Sequence, residues 1–416
     1  MLPAVIALVI VPFVVSWATC LFVKRYGPTI GLIDKPGYRK IHSTPIPTGG
    51  GLGIWAGVTL PLLALSIVTL GLGGLDETGA VSTETSTVWG VPLSACPEIL
   101  ATHIGGIASR LPQLWTLLAL GTILTVLGTL DDRFSLPWQL RLGVEFLVAI
   151  GAVTCGWRAT FFLDMPILTS ILSVFWIVGL VNSFNMLDNM DALSGGVATI
   201  CSLFLAAVAF CFAPNPESGE PQLFLAAFLI LTASAICGFL KLNKPPARMF
   251  MGDGGAYFIG FLLATTTLSI TFVGESAPKS AIFVPLVILA VPLYDTISVV
   301  TIRLIHGASP FVGDKNHYSH RLVALGLTRT QAVATIYLTT AICATGAFFL
   351  YQVNFVTAII VLVQTGLILS LVAILEFAAR RTIRETEQQL SKLEKEEQTP
   401  GDEKSGSGKD KEAGQR

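Results

Sequence analysis

Long apolar stretches alternate with short polar ones along nearly the whole chain. The pattern predicts eleven membrane-spanning helices, at 2–23, 49–70, 113–130, 138–155, 166–183, 193–213, 222–240, 255–273, 281–300, 331–350 and 355–378. Each is close to the ~20 apolar residues that a bilayer core requires of a helix. One polar run interrupts this pattern where two spans meet. Residues 181–196 read VNSFNMLDNMDALSGG and place Asn182, Asn185, Asp188 and Asp191 three apart. On a helix that spacing makes each a surface neighbour of the next, in a slowly winding polar stripe. A carboxylate near a span centre costs about 2.5–3.5 kcal/mol on insertion scales. A divalent cation or a phosphate-bearing ligand would offset that cost; the plainer alternative is two loop acids in water.

Composition fixes the broad class. The 416 residues are 52% hydrophobic and 13% charged, against about 25% charged in a soluble protein, and mean hydropathy is +0.71. The expected fold is all-α and polytopic, and a soluble enzyme is excluded. Net charge is −1, so nothing argues for a nucleic-acid partner. The seven cysteines include no CxxC pair and no Cys/His cluster, which indicates neither a zinc site nor a disulfide framework. Residues 2–23 lack a basic start, so they read as a retained span rather than a cleaved leader.

Charge then orients the spans. One set of alternating loops carries only Arg110, Arg158 and Lys279; the other carries the remaining 23 of 26 Lys and Arg residues. The positive-inside rule puts the second set in the cytoplasm, with the N-terminus out and the C-terminus in. The membrane domain is expected over 1–378, with an outer loop at 71–112 rich in Gly, Ser and Thr. A charged cytoplasmic tail at 379–416 is expected to be helical, then disordered.

Every chemically suggestive cluster falls on the cytoplasmic side. Asp131 and Asp132 are adjacent at the end of a span, about 100° apart on a helix, so one can face a site while the other serves elsewhere. MGDGG (251–255) sets Asp253 between glycines at the start of another, where backbone N–H groups can approach an anion and an acid can hold Mg²⁺. DKPGYRKIHSTPIPTGGG (34–51) combines Lys40 and His42 with a Pro/Gly-rich loop suited to phosphate. Asp295 and Arg303 are eight apart on one helical side and can pair with each other. Asp314, His317 and His320 lie in the largest cytoplasmic loop. Capping acids and the positive-inside rule explain each signal singly. Together they are acidic, basic and on one face, which is the mixture that phosphoryl transfer needs.

With these motifs in order, the chain resembles the polyprenyl-phosphate N-acetylhexosamine-1-phosphate transferases, most nearly the undecaprenyl-phosphate N-acetylglucosamine 1-phosphate branch. The resemblance runs from about Asp34 to Leu322. It implies transfer of N-acetylhexosamine 1-phosphate from a UDP-N-acetylhexosamine to a polyprenyl phosphate, with Mg²⁺ (or Mn²⁺) and release of UMP. That would be the initiating step of cell-envelope polysaccharide synthesis, at the cytoplasmic face of a bacterial inner membrane, with a homodimer as one arrangement. It implies that Asp131 and Asp132 stand at the lipid phosphate, that Asn185, Asp188 and Asp191 surround nucleotide and metal, and that Asp253 ligates Mg²⁺. Asn243 and Phe250 would belong to the nucleotide site, and Lys40 and His42 to the first basic motif. Asp295, Arg303, Asp314, His317 and His320 would meet the sugar nucleotide, and Asn182 joins the substrate-binding set. Two departures stand out. The last motif reads His317-Tyr318-Ser319-His320 where the family commonly has His-x-His-His. Asn189 and Ala192 stand where it commonly has glycines. Rival readings are the phospho-N-acetylmuramoyl-pentapeptide transferase branch, which has consecutive histidines in its last motif, and an ion-coupled transporter relaying through Asp188, Asp191 and Asp295.

Overall fold

A computed structural model of the chain describes residues 2–34, 44–72, 87–88, 91–92, 98–159, 165–213, 221–270, 279–310 and 316–397. By contacts it divides into two compact units, 1–369 and 370–416. The first holds everything that follows, apart from the C-terminal part of the last helix.

The architecture is helical throughout. The helices are α1 (Leu2–Tyr26), α2 (Gly50–Leu72), α3 (Glu98–Phe134), α4 (Trp138–Thr154), α5 (Pro166–Leu187), α6 (Leu193–Cys211) and α7 (Leu223–Asn243). They continue with α8 (Asp253–Ser269), α9 (Val284–Ile288), α10 (Ala290–Ile305), α11 (Tyr318–Ala324), α12 (Arg329–Phe349) and α13 (Phe355–Glu397). The strands described are two-residue antiparallel pairs: β1 (Ile33–Asp34) with β2 (Ile46–Pro47), and β3 (Thr87–Val88) with β4 (Val91–Pro92). A helix stands at each of the eleven predicted places. Among the described residues, eight are long and apolar enough to cross a membrane, or nine if one bent pair counts as a span.

The shortfall has physical causes. Helices α4 and α8 have 17 residues each, at the lower end of the range that spans a bilayer core. The span expected at 281–300 is broken: Lys279–Ile288 and Ala290–Ile305 meet at 65°. Pro292 lacks the N–H that would bond the carbonyl of Ile288 in a continuous helix. That carbonyl instead accepts from the Cys201 thiol at 3.3 Å. The expected outer loop 71–112 is also shorter than its sequence suggests, because α3 already begins at Glu98 and runs 37 residues.

Helix α8 lies at the centre. Every residue from Gly254 to Thr267 is buried, by packing against α5, α3 and α2. Its N-terminal end approaches two helices at backbone contact. A Cβ on Gly128 of α3 would lie 2.3 Å from the Gly254 nitrogen, and one on Gly51 of α2 would lie 2.2 Å from the Gly255 nitrogen. Gly254 and Gly255 of MGDGG thus allow α8 to pack closely against α3 and α2. The glycine run 49–51 has a similar cause. Gly50 and Gly51 donate to the carbonyls of Phe250 and Met251, both at 2.9 Å, and Phe250 N–H returns a bond to Pro47 at 2.9 Å. Only side-chain-free residues allow that approach.

Candidate active site

Four helix ends converge around α8. Asp131 and Asp132 lie in the last turn of α3, and their carboxylates diverge. Asp131 turns to the α3–α4 connection: its Oδ1 accepts from Leu136 N–H at 2.6 Å and its Oδ2 pairs with Arg141. Asp132 turns to α8. Its Oδ1 accepts from Asp253 N–H at 3.2 Å, so it caps a helix whose own N-cap, Gly252, has no side chain to do so. Gly252 has φ +76°, and a Cβ there would strike Asp132 Oδ2 at 2.1 Å. The Asp132 Oδ2 atom is buried without a hydrogen-bond partner among the described residues.

Asp253 is held from two more sides. Asn185 Nδ2 donates to its Oδ1 at 2.7 Å, and Arg141 Nη1 stands 3.5 Å from its Oδ2. Arg141 thus bridges Asp131 and Asp253. One turn further along α4, buried Glu145 accepts from Asn182. Neither Arg141 nor Glu145 was singled out in the sequence, where Arg141 counted only as an inside charge. The signal was present: two ionisable groups four apart near the start of an apolar span are costly unless partnered.

The polar stripe is not a single helix face. Helix α5 ends at Leu187, so Asn182 and Asn185 are helical while Asp188 and Asp191 lie in the turn that follows. Ala192 completes that turn at φ +62°. The four side chains go to different partners: Asn182 to Glu145, Asn185 to Asp253, and Asp191 to the backbone N–H of Ala247 at 2.9 Å. Asp188 is half-buried beside the cluster. Burial, then the negative charges of Asp253 and Asp191, push its carboxyl up to about 8. Asn243 is a buried clamp, accepting from Ala192 N–H at 2.8 Å and donating to the Met249 carbonyl at 2.9 Å. It ties the acidic turn to the segment before Asp253. Phe250 sits in that segment, paired through its backbone to residues 47 and 50.

A second cluster forms on α10 and α11. Asp295 is fully buried and does not turn to Arg303. Its Oδ2 meets His317 Nδ1 at 2.9 Å and its Oδ1 accepts from Tyr318 N–H at 2.6 Å. Arg303 donates to the Pro310 carbonyl. The His317 and His320 rings lie 6.4 Å apart. Ser319, between them, donates to Asn189 in the acidic turn. Lys40, His42 and Asp314 lie outside the described residues.

The carboxylates suit a small hard cation. Asp132 and Asp253 are adjoining acids, one with an orphaned buried oxygen, and Asp188 is pushed towards holding a proton by burial and like charge. Among the described residues, no three Asp, Glu, His or Cys side chains converge into a ready cage. Mg²⁺ does not need one, since it is usually held by one or two carboxylates with substrate phosphates and water.

Comparisons with known proteins follow the same lines. Residues 114–271 match the glycosyl transferase family 4 model, a stretch that includes Asp131, Asp132, Arg141, Asn185, Asp188 and Asp253. A probable undecaprenyl-phosphate N-acetylglucosaminyl 1-phosphate transferase of Bacillus subtilis (strain 168) is 32% identical over 343 residues, covering 79% of this chain and 81% of the relative. The undecaprenyl-phosphate alpha-N-acetylglucosaminyl 1-phosphate transferase of Escherichia coli (strain K12) is 25% identical, over 78% and 77%. The decaprenyl-phosphate N-acetylglucosaminephosphotransferase of Mycolicibacterium smegmatis is 27% identical, over 82% and 79%. With a relative this similar over four-fifths of its length, and the acids of its sequence motifs drawn together around α8, the chain belongs to the polyprenyl-phosphate N-acetylhexosamine-1-phosphate transferases of glycosyl transferase family 4, which are membrane phosphoglycosyltransferases.

Proposed function

We propose that this protein transfers N-acetylglucosamine 1-phosphate from UDP-N-acetylglucosamine to undecaprenyl phosphate at the cytoplasmic face of a bacterial inner membrane, as the first step in building a cell-envelope polysaccharide. The observation that carries the reading is the meeting of Asp132, Asp253, Asn185 and Arg141 on four different helices around one point. The names of the relatives supply the acceptor and the sugar.

In this reading an oxygen of the lipid phosphate attacks the β-phosphorus of the donor. The bond from that phosphorus to the bridging oxygen breaks, and UMP leaves. The lipid phosphate is already largely ionised near neutral pH, by analogy with phosphate monoesters of second pKa about 6, so no strong base is demanded. Asp253 and Asp132 would hold Mg²⁺. When bound, the ion would supply positive charge against the phosphates undergoing transfer. Asn185 fixes the Asp253 carboxylate by its 2.7 Å bond. Arg141 holds Asp131 and supplies positive charge beside Asp253. The His317–Asp295 pair presents an oriented imidazole at the second cluster, on the donor side.

The deciding experiment uses purified protein in detergent with undecaprenyl phosphate, Mg²⁺ and either UDP-N-acetylglucosamine or UDP-N-acetylgalactosamine. UMP release and lipid-linked sugar are followed together. Mg²⁺-dependent release matched one-to-one by lipid product, with the glucosamine donor preferred, is the expected result. Preference for another donor would overturn the sugar assignment, and release of UMP without lipid product would overturn the acceptor.

A further inference from the structure

The acidic turn and the histidine turn come from segments 130 positions apart, yet one side-chain bond joins them: Ser319 Oγ donates to Asn189 Oδ1. Both residues are otherwise committed in ways that stiffen the join. Asn189 Nδ2 donates back to the Met186 carbonyl at 2.8 Å, which anchors it to the last turn of α5. Ser319 is buried at 1% exposure. It follows Tyr318, whose N–H is held by fully buried Asp295. Asp188 precedes Asn189, and His317 and His320 flank Ser319. The gap between the acids and the imidazoles therefore runs through this bond.

We propose that the Ser319–Asn189 pair is a positioning latch that sets the spacing between the Asp188–Asp191 turn and the His317–His320 turn, and through it the fit of the sugar-nucleotide donor. It acts on the donor because it joins the phosphate-side acids to the imidazoles, and it leaves the lipid side, built on α3, α4 and α8, untouched. The inference rests on the donor reading given above, but its physical core is the coupling of two turns.

The test has two arms. In the kinetic arm, Ser319→Ala and Asn189→Ala are each expected to raise the donor KM by up to about tenfold, the loss of one buried neutral hydrogen bond. The lipid KM and kcat stay close to wild type. Ser319→Thr keeps the hydroxyl and restores the donor KM. The double Ala variant is no worse than either single one, because the pair acts as a unit. An unchanged donor KM in Ser319→Ala, an equal rise in the lipid KM, or a double variant that multiplies the two single effects would each overturn the latch. The second arm needs no turnover. In Ser319→Ala, amide hydrogen exchange is expected to rise across 187–192 and 317–323 together, with 254–267 of α8 unchanged as the control for folding. If the wild-type enzyme turned over no UDP-sugar, the proposed function would fall while this exchange pattern still reported the latch. No change in exchange in either turn would overturn the latch by itself.

Discussion

Gly128 offers the sharpest test of how the site is assembled. It lies on α3 one turn before Asp131 and Asp132, and it has no chemical group to lose. A Cβ placed on it would sit 2.3 Å from the Gly254 nitrogen, 2.4 Å from the Asp253 carbonyl carbon and 2.5 Å from the Gly254 Cα. Ordinary contact begins at 3.4 Å, and backbone cannot swing aside as a long side chain can. Gly128→Ala must therefore push α3 and α8 apart by about 1 Å, at the level where Asp132 meets Asp253, and misplacement of that size in a catalytic array costs about 100-fold in rate. Helix propensity acts the other way, since Ala is favoured over Gly by about 1 kcal/mol within a helix. The expected variant is folded but lowered in thermal midpoint, since overpacking a core against backbone costs about 1–3 kcal/mol or more, and it is about 100-fold slower in UMP release. Gly179→Ala on α5 is the control: a methyl group there would meet nothing within 4 Å, so activity should hold. Wild-type turnover by Gly128→Ala would refute the claim that the α3–α8 approach sets the geometry of the acids.

Three further outcomes follow from the same geometry. Asp253→Asn should abolish turnover, and near-normal activity with intact Mg²⁺ dependence would remove Asp253 from the ligand set. Arg141→Ala should lose about 100-fold in rate, the scale seen on removing one preorganised charge donor, while Arg141→Lys recovers part of it; equal loss in both would point to the fork geometry rather than the charge. For Asp188 the sign is set by its carboxyl being raised to about 8 in the folded protein, above the usual carboxylate range. Its contribution to stability is complete below the ordinary carboxylate value of about 4 and is lost progressively up to the folded value of about 8, so the thermal midpoint of cation-free protein should fall between about pH 4 and 8 and level off above that. Asp188→Asn should flatten that slope, and a variant that keeps the wild-type slope would refute this assignment.

Much of the site was legible because membrane burial makes acids conspicuous. Asp131, Asp132 and Asp253 stand out against apolar spans, and the structure brings Asp132 to the backbone of Asp253. What was illegible depended on distance in space. The period of three in the polar run continues past Leu187, and no residue within it announces that the helix stops there. The part that Gly254 and Gly255 play in helix packing was hidden because their partners, Gly128 and Gly51, lie far away in sequence. Arg141 was hidden by an adequate general reason for any cytoplasmic-side arginine. The break near Leu289 was hidden because Pro292 sits in a stretch as apolar as any other span, and Cys201 on another helix answers the carbonyl it leaves.

The bond by which Asp132 caps α8 joins residues 121 positions apart, and that separation bears on biosynthesis. A ribosome delivers α3 to the membrane long before α8 exists. Until then the Asp132 carboxylate has no helix end to cap, and Asp131 has Arg141 but no Asp253 beyond it. A half-made chain therefore holds acids without the geometry that makes them work. The acidic cluster is completed only when α8 joins the helices made before it, and the Asp295–His317 pair follows later still, so a truncated product ending before Asp253 should be inert rather than partly active.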